Sequence, residues 1–216
     1  MNMLLEAEKH TIRSEFPASA SLLKRSIDTA VSFTALLLLL PFLAIVAICI
    51  KFDSSGPVFY CSKRIGRKGR IFQCYKLRTM KQDADKARHE LEHLNERDGI
   101  LFKVSNDPRV TRLGAWLRKY SLDELPQFFN VLIGDMSLVG PRPPLESEVK
   151  QYDVCHLRRL DVRPGMTGLW QVVAREDPSF STYISLDIAY IENWNLFLDA
   201  RILWRTLEVV MRGTGS

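Results

Sequence analysis

From Ala30 to Ile50 the chain reads AVSFTALLLLLPFLAIVAICI, with no charged side chain anywhere in the run. About 20 apolar residues are what a helix needs to cover the hydrocarbon core of a bilayer, so this run predicts a membrane-bound protein. Residues 1–23 are polar, charge-balanced and without clear periodicity, and read as a flexible extension. After the apolar run, DSSGP is a turn, and VFYCSKRIGRKGRIFQCYKLRTM predicts two short strands around a basic, glycine-containing turn. Lys81 to Arg97 is charged almost throughout, with Leu91 and Leu94 its main apolar residues, and reads as a solvated helix or lid.

Val110, Leu113, Leu117 and Tyr120 fall at helical spacing, and an apolar helix follows through Ile133. The glycines and prolines of GDMSLVGPRPP predict a loop; VRPGMTGLWQV predicts another loop leading into a short strand. Thr182 to Met211 predicts two helices carrying Tyr183, Ile184, Tyr190, Ile191, Trp194, Phe197, Trp204 and Leu207. Core packing is the default place for these side chains, and the headgroup level of a membrane is the alternative.

The helix ending at Ile133 opens on SLDELPQFFN, where Ser121 and Glu124 have the spacing of a capping box. Pro126 argues against Ser121 as the cap, because its ring would meet the carbonyl of residue 122 past the first turn. The helix starts more comfortably at Asp123 or Glu124, which sets two carboxylates at a helix N-terminus, beside free N–H groups that also receive phosphate.

Both flanks of the apolar run carry cations: Lys24 and Arg25 before it, and Lys51, Lys63, Arg64, Arg67, Lys68 and Arg70 after it. That distribution favours a cytoplasmic C-terminal portion. With more than twenty mixed-charge residues ahead of the run and no small-residue cleavage site behind it, a signal peptide does not fit. Pro41 stands near the middle, and the residues by themselves favour a single kinked span over a helix that breaks at Pro41 and returns to the same leaflet.

The net charge of +5 implies an anionic partner: nucleic acid, anionic lipid or a phosphorylated small molecule. Cys49, Cys61, Cys74 and Cys155 have neither CxxC pairing nor histidine at ligand spacing, which fits reduced thiols and offers no zinc site or disulfide framework. His10, His89, His93 and His156 stand in polar contexts and suggest no triad. No Walker A sequence, dinucleotide fingerprint, Gly-x-Ser-x-Gly elbow or HExxH is present. What remains is the acid pair Asp123 and Glu124 with the cations Lys76, Arg78, Arg118, Arg142, Arg163 and Arg175. Each alone reads as a surface charge. Together they supply what phosphoryl transfer asks for: cations to offset phosphate charge, a carboxylate to hold Mg²⁺, and a nucleophile, which can be aspartate itself.

KRSID before the apolar run, GPVFY, RIGRKGRIFQCYKLRTM, DPRVTRLGAWLRKYSLDELPQFFNVLIGDMSLVGPRP and VRPGMTGLWQV closely resemble, in order, the bacterial sugar transferases that start exopolysaccharide and glycan assembly. These are the monotopic polyprenyl-phosphate phosphoglycosyl transferases. The resemblance runs from about Lys24 to near the C-terminus. It implies an α-rich α+β fold: a re-entrant membrane helix over 24–52, broken near Pro41, and a cytosolic catalytic domain over 53–216 with a short β-hairpin and interfacial amphipathic helices.

The implied reaction moves a sugar 1-phosphate, a hexose by the close similarity to galactose and glucose phosphotransferases, from a UDP-sugar to undecaprenyl phosphate and releases UMP, with Mg²⁺. Carried onto matching positions, Asp123 is the nucleophile and Glu124 the metal ligand. Lys76, Arg118, Arg142, Arg175 and Asp187 line or support the polar site, and Pro143 shapes its loop. The expected place is the cytoplasmic face of the bacterial inner membrane, with UDP-sugar, undecaprenyl phosphate and membrane lipid as partners, no nucleic acid, and a homo-oligomer left open. The re-entrant family helix reverses the single-span preference, although the Ser-Pro break of several relatives is Leu40-Pro41 in this chain. Two rival readings make different predictions: a membrane-tethered protein that binds anionic lipid or nucleic acid through its basic face, and a hydrolase in which water attacks the same aspartyl intermediate.

Overall fold

The computed structural model describes residues 21–82, 84, 91, 93–98, 100–102, 104 and 106–213. The N-terminal extension and most of the charged stretch between Lys81 and Arg97 lie outside them. Among the described residues the chain is helix-rich with four short strands, an α+β arrangement.

The first helix, α1, covers Leu22–Asp53. Ser21 caps it by accepting the Lys24 N–H at 3.1 Å. The helix continues across Pro41, where a break is expected from the sequence. Its burial follows one stripe: Lys24, Asp28, Ser32, Val46 and Ile50 are buried, and Phe42 and Leu43 pack partly between them. The opposite face is apolar and bare, with Phe33, Leu37, Leu38, Leu40, Ile45 and Ile48 all exposed. At about 1.5 Å per residue the helix is roughly 48 Å long, and both of its ends rest on the same domain.

At the N-terminal end the contacts are polar. Lys24 Nζ donates to Asp199 Oδ2 at 2.6 Å and to the Val139 carbonyl at 3.1 Å. Arg25 donates to the carbonyls of Val131 and Leu132 at 2.6 and 2.9 Å, and Asp28 accepts from the Ser137 hydroxyl and the Leu138 N–H. At the C-terminal end Val46 and Ile50 pack on Leu77 and Leu117.

Strands β1 (Phe59–Ile65) and β2 (Ile71–Leu77) form the expected antiparallel hairpin, pairing Phe59 with Leu77 and Ile65 with Ile71. Two helices follow, α2 (Arg112–Lys119) and α3 (Gln127–Ile133). The GDMSLVG segment departs from its expected loop: Ser137–Val139 is strand β3 and pairs in parallel with β4, Gly165–Thr167. Short helices α4 (Glu146–Val149) and α5 (Leu169–Val173) precede the two C-terminal helices, α6 (Phe180–Glu192) and α7 (Leu196–Arg212).

The main core gathers Phe72 and Cys74 of β2, Val131 of α3, Leu138 and Val139 of β3, Tyr190 and Ile191 of α6 and Ile202 of α7. The aromatic C-terminal segment therefore divides its roles. Tyr183, Ile184, Tyr190 and Ile191 are buried, whereas Phe197, Trp204, Leu207 and Met211 are exposed along α7.

Candidate active site

Asp123 and Glu124 sit on a 3-10 turn, Leu122–Glu124, reached directly from α2. Ser121 enters it with φ 54° and ψ 24°, a left-handed conformation that costs a non-glycine residue on the order of 1 kcal/mol. Its hydroxyl makes no capping bond, so the capping-box reading fails. The carboxylates do not open α3 either, which starts at Gln127 behind Pro126. Proline lacks the N–H that would join the turn to the helix, so the acid pair stands on a separate ledge.

Lys76, near the end of β2, reaches that ledge and donates from Nζ to Glu124 Oε1 at 2.5 Å. Both side chains of this pair stay partly exposed. Asp123 is buried, and burial pushes its carboxyl above the usual carboxylate range against the pull of Lys76 and Arg118. Burial acts the same way on Glu124, but Lys76 overcomes it and holds Glu124 below that range. On Lys76 itself, burial opposes the charge, and the two carboxylates outweigh it and raise the ammonium. Arg118, on the last turn of α2, flanks Asp123 electrostatically while its Nε donates to Thr79 Oγ1 at 2.9 Å.

A cavity of about 240 Å³ opens beside this ledge. Its charged wall is Lys76, Arg97, Glu124, Arg142 and Arg175; Trp170, Met166, Val209 and Val210 face it with largely apolar surface. Arg142 belongs to the Gly140–Pro144 loop, which is held at many points. The Gly140 N–H donates to the Thr167 carbonyl at 2.9 Å, the Pro141 carbonyl accepts from the Gly165 N–H at 2.9 Å, and the Pro144 carbonyl accepts from the Ile65 N–H at 3.0 Å. Pro143 contributes its carbonyl to Arg64 at 3.0 Å. A Cβ on Gly140 would lie 2.6 Å from the Arg163 carbonyl oxygen, so only glycine lets the loop approach β4 this closely.

Behind the loop lies a fully buried cation that the sequence does not single out. Arg159 donates through Nε to Asp187 Oδ2 at 2.9 Å, through Nη2 to the Arg142 carbonyl at 3.0 Å, and to the hydroxyls of Tyr152 and Tyr183. Its ion pair with Asp187 closes to 2.7 Å. Burial pushes Asp187 up to about 6, opposed by Arg159. Asp187 thus supports the site at one remove, through Arg159 and the backbone of Arg142. Arg159 stands beside exposed Arg158 in RRL, and nothing in that pattern separates a buried arginine from a surface one.

Two expected site cations lie elsewhere. Arg78 is buried at the foot of α1, where it donates to the carbonyls of Ile50 and Ser54 at 3.3 and 2.6 Å. Arg163 donates to the Gly134 carbonyl at 3.1 Å, on the side of Arg25 and Asp28. Each is drawn off by backbone carbonyls at or just past the end of a helix, where a fixed guanidinium adds a donor. The cavity does bring together Lys76, Glu124, Arg142 and Arg175, with Asp123, Arg118, Pro143 and Asp187 adjoining or supporting it.

An acid pair thus faces clustered lysine and arginine beside a cavity, in a chain whose first helix is long and apolar enough to cross a membrane. A profile of the bacterial sugar transferase family matches residues 19–213, and the chain belongs to that family. It is 44% identical over 197 residues to the exopolysaccharide production protein ExoY of Rhizobium meliloti, covering 89% of this chain and 87% of that one. It is 42% identical over 207 residues to the undecaprenyl-phosphate galactose phosphotransferase of Salmonella typhimurium, covering 92% of this chain and 42% of that protein. The undecaprenyl-phosphate glucose phosphotransferase of Komagataeibacter xylinus is 38% identical over 198 residues, covering 86% of this chain and 35% of its own length. The chain spans less than half of these two phosphotransferases.

Proposed function

We propose that this protein transfers a sugar 1-phosphate, of a hexose, from a UDP-sugar to undecaprenyl phosphate in two displacements. A carboxylate oxygen of Asp123 attacks the phosphorus next to the sugar, the anhydride bond to the other phosphorus breaks, and UMP leaves. A phosphate oxygen of the lipid acceptor then attacks the same phosphorus and frees the Asp123 carboxylate. The observation that carries this reading is the ledge itself: a water-poor aspartate next to a cavity whose wall holds Lys76, Arg142 and Arg175. Those cations stand where the diphosphate charge has to be offset.

Among the described residues no three His, Cys, Asp or Glu side chains gather into a metal cage. Mg²⁺ commonly takes one or two carboxylates and completes its shell with substrate phosphates and water, and the hard oxygens of Glu124 at the cavity wall suit that role. When bound, such an ion neutralises diphosphate charge. Lys76 donates to Glu124 in this structure, and a cation held by Glu124 would leave that ammonium free for the substrate.

The membrane geometry supports the same reading. A helix that crossed the bilayer would carry one of its ends about 30 Å from the other side, yet Lys24 and Ile50 both pack against one polar domain. We infer that α1 dips into the cytoplasmic leaflet of the inner membrane and does not leave it on the far side. An acceptor phosphate at the interface then meets the site without its chain being extracted from lipid.

Purified protein given UDP-sugar, Mg²⁺ and polyprenyl phosphate is expected to release UMP and make a lipid-linked sugar diphosphate, and Asp123→Asn to lose at least about 1000-fold of that rate. Free sugar phosphate formed with or without the lipid marks a hydrolase instead. An Asp123→Asn protein with full activity overturns the mechanism.

A further inference from the structure

We propose that Gln171 and Trp170 form a base-reading subsite that prefers uracil in the donor nucleotide. The inference rests on the UDP-sugar reading above and assigns its nucleobase end.

Both residues line the cavity from α5. The Gln171 amide is oriented by its own backbone: Nε2 donates to the Met166 carbonyl at 3.3 Å. One of its two N–H groups is used there, and among the described residues the buried Oε1 has no partner. Trp170, its neighbour in the chain, is 9% exposed, and among the described residues its buried Nε1–H has no partner either. A buried donor or acceptor without a partner works against folding, so two on one cavity wall point to a ligand that completes them.

The chemistry of that ligand follows from the pair. It must present an N–H or O–H to Oε1 and an acceptor to Nε1. It must also suit an aromatic surface: the Trp170 ring is edge-on to Tyr183 at 4.8 Å, and the Arg97 guanidinium lies 5.5 Å over its face. Uracil is flat and uncharged, and its N3–H stands between two carbonyl oxygens, so it offers the donor and the acceptor side by side. Cytosine has a bare N3 at that place, whose lone pair would face Oε1. The cavity holds both kinds of group, the cations Lys76, Arg142 and Arg175 for a diphosphate and Trp170 and Gln171 for a base.

The test is equilibrium binding of UDP and CDP to the intact, detergent-solubilised protein, which needs neither turnover nor lipid acceptor. Wild type is expected to hold UDP about tenfold more tightly than CDP, the factor that one well-made hydrogen bond against a mismatched one provides. Gln171→Met, which keeps the volume and removes the acceptor, is expected to bring the two within about twofold by weakening UDP. Should that variant unfold, Trp170→Phe gives a second reading: the ring stays, Nε1–H goes, and the UDP preference is expected to shrink. UDP preference unchanged in both variants, or equal binding of UDP and CDP to wild type, overturns the subsite and leaves the donor reading standing. Binding of neither nucleotide overturns both. A preference seen only between UDP-sugars, and absent between UDP and CDP, assigns the pair to sugar hydroxyls and overturns the uracil assignment.

Discussion

Asp187 and Arg159 show how a residue can govern the site without touching it. Asp187 has a raised folded-state pKa of about 6 against an ordinary 3.8, because burial disfavours its charge more than Arg159 favours it. The folded protein therefore binds this proton more readily than the unfolded chain, and the contribution of Asp187 to stability falls as pH rises from about 4 to about 6. Activity is expected to run the other way. Below about 6 Arg159 loses its carboxylate partner, its hold on the Arg142 carbonyl loosens, and turnover drops. In Asp187→Asn this acid limb should vanish from the pH–rate profile, leaving a flat, lowered rate between about pH 5.5 and 8; a limb that persists assigns it to another group. Arg159→Lys, keeping the charge but losing the planar fork, should lower turnover by on the order of 10- to 100-fold with little change in membrane association. At this scale the sequence made the acid pair legible and pointed to Lys76, Arg142 and Arg175. It could not separate Arg78 and Arg163 from them, because no local pattern marks one cation from another, and only the folded chain reveals which carbonyls claim a guanidinium.

The elements carry a different set of constraints. The hairpin, α2, α6 and α7 follow from alternation or helical spacing that extends over seven residues or more. Strands β3 and β4 are three residues each, pair in parallel across more than twenty residues of chain, and have no periodicity to read. The turn bearing Asp123 was illegible for another reason: Ser121 adopts a left-handed conformation that its residue type does not announce. One glycine joins two elements closely. A Cβ on Gly114 of α2 would lie 2.0 Å from the Thr79 carbonyl oxygen, just beyond the strand that delivers Lys76. Gly114→Ala is expected to destabilise the protein by more than about 2 kcal/mol through this overlap. Thermal unfolding in detergent checks it, and a midpoint within about 1 °C of wild type contradicts the packing described.

Across the whole molecule, α1 and the domain form one unit with a bare apolar face on α1 and another along α7 at Phe197, Trp204, Leu207 and Met211. The apolar run made membrane attachment legible, and the family blocks made the reaction class legible. The seating of the helix was not, since Lys24 and Arg25 read as flanking charges and, with Asp28, prove to be buried or bonded ties to β3, α3 and α7. Single cysteines introduced at His10 and at Tyr60, in a chain freed of its native thiols, should both react from the cytoplasmic side; labelling from opposite sides restores a spanning helix.

The covalent step can be tested without any of these details. Protein incubated with UDP-sugar and Mg²⁺, with no lipid acceptor, should gain the mass of one sugar phosphate, and peptide mapping should find it on Asp123. Adding polyprenyl phosphate should discharge it. A chain that makes product while never gaining that mass, or that gains it equally as Asp123→Asn, contradicts the account.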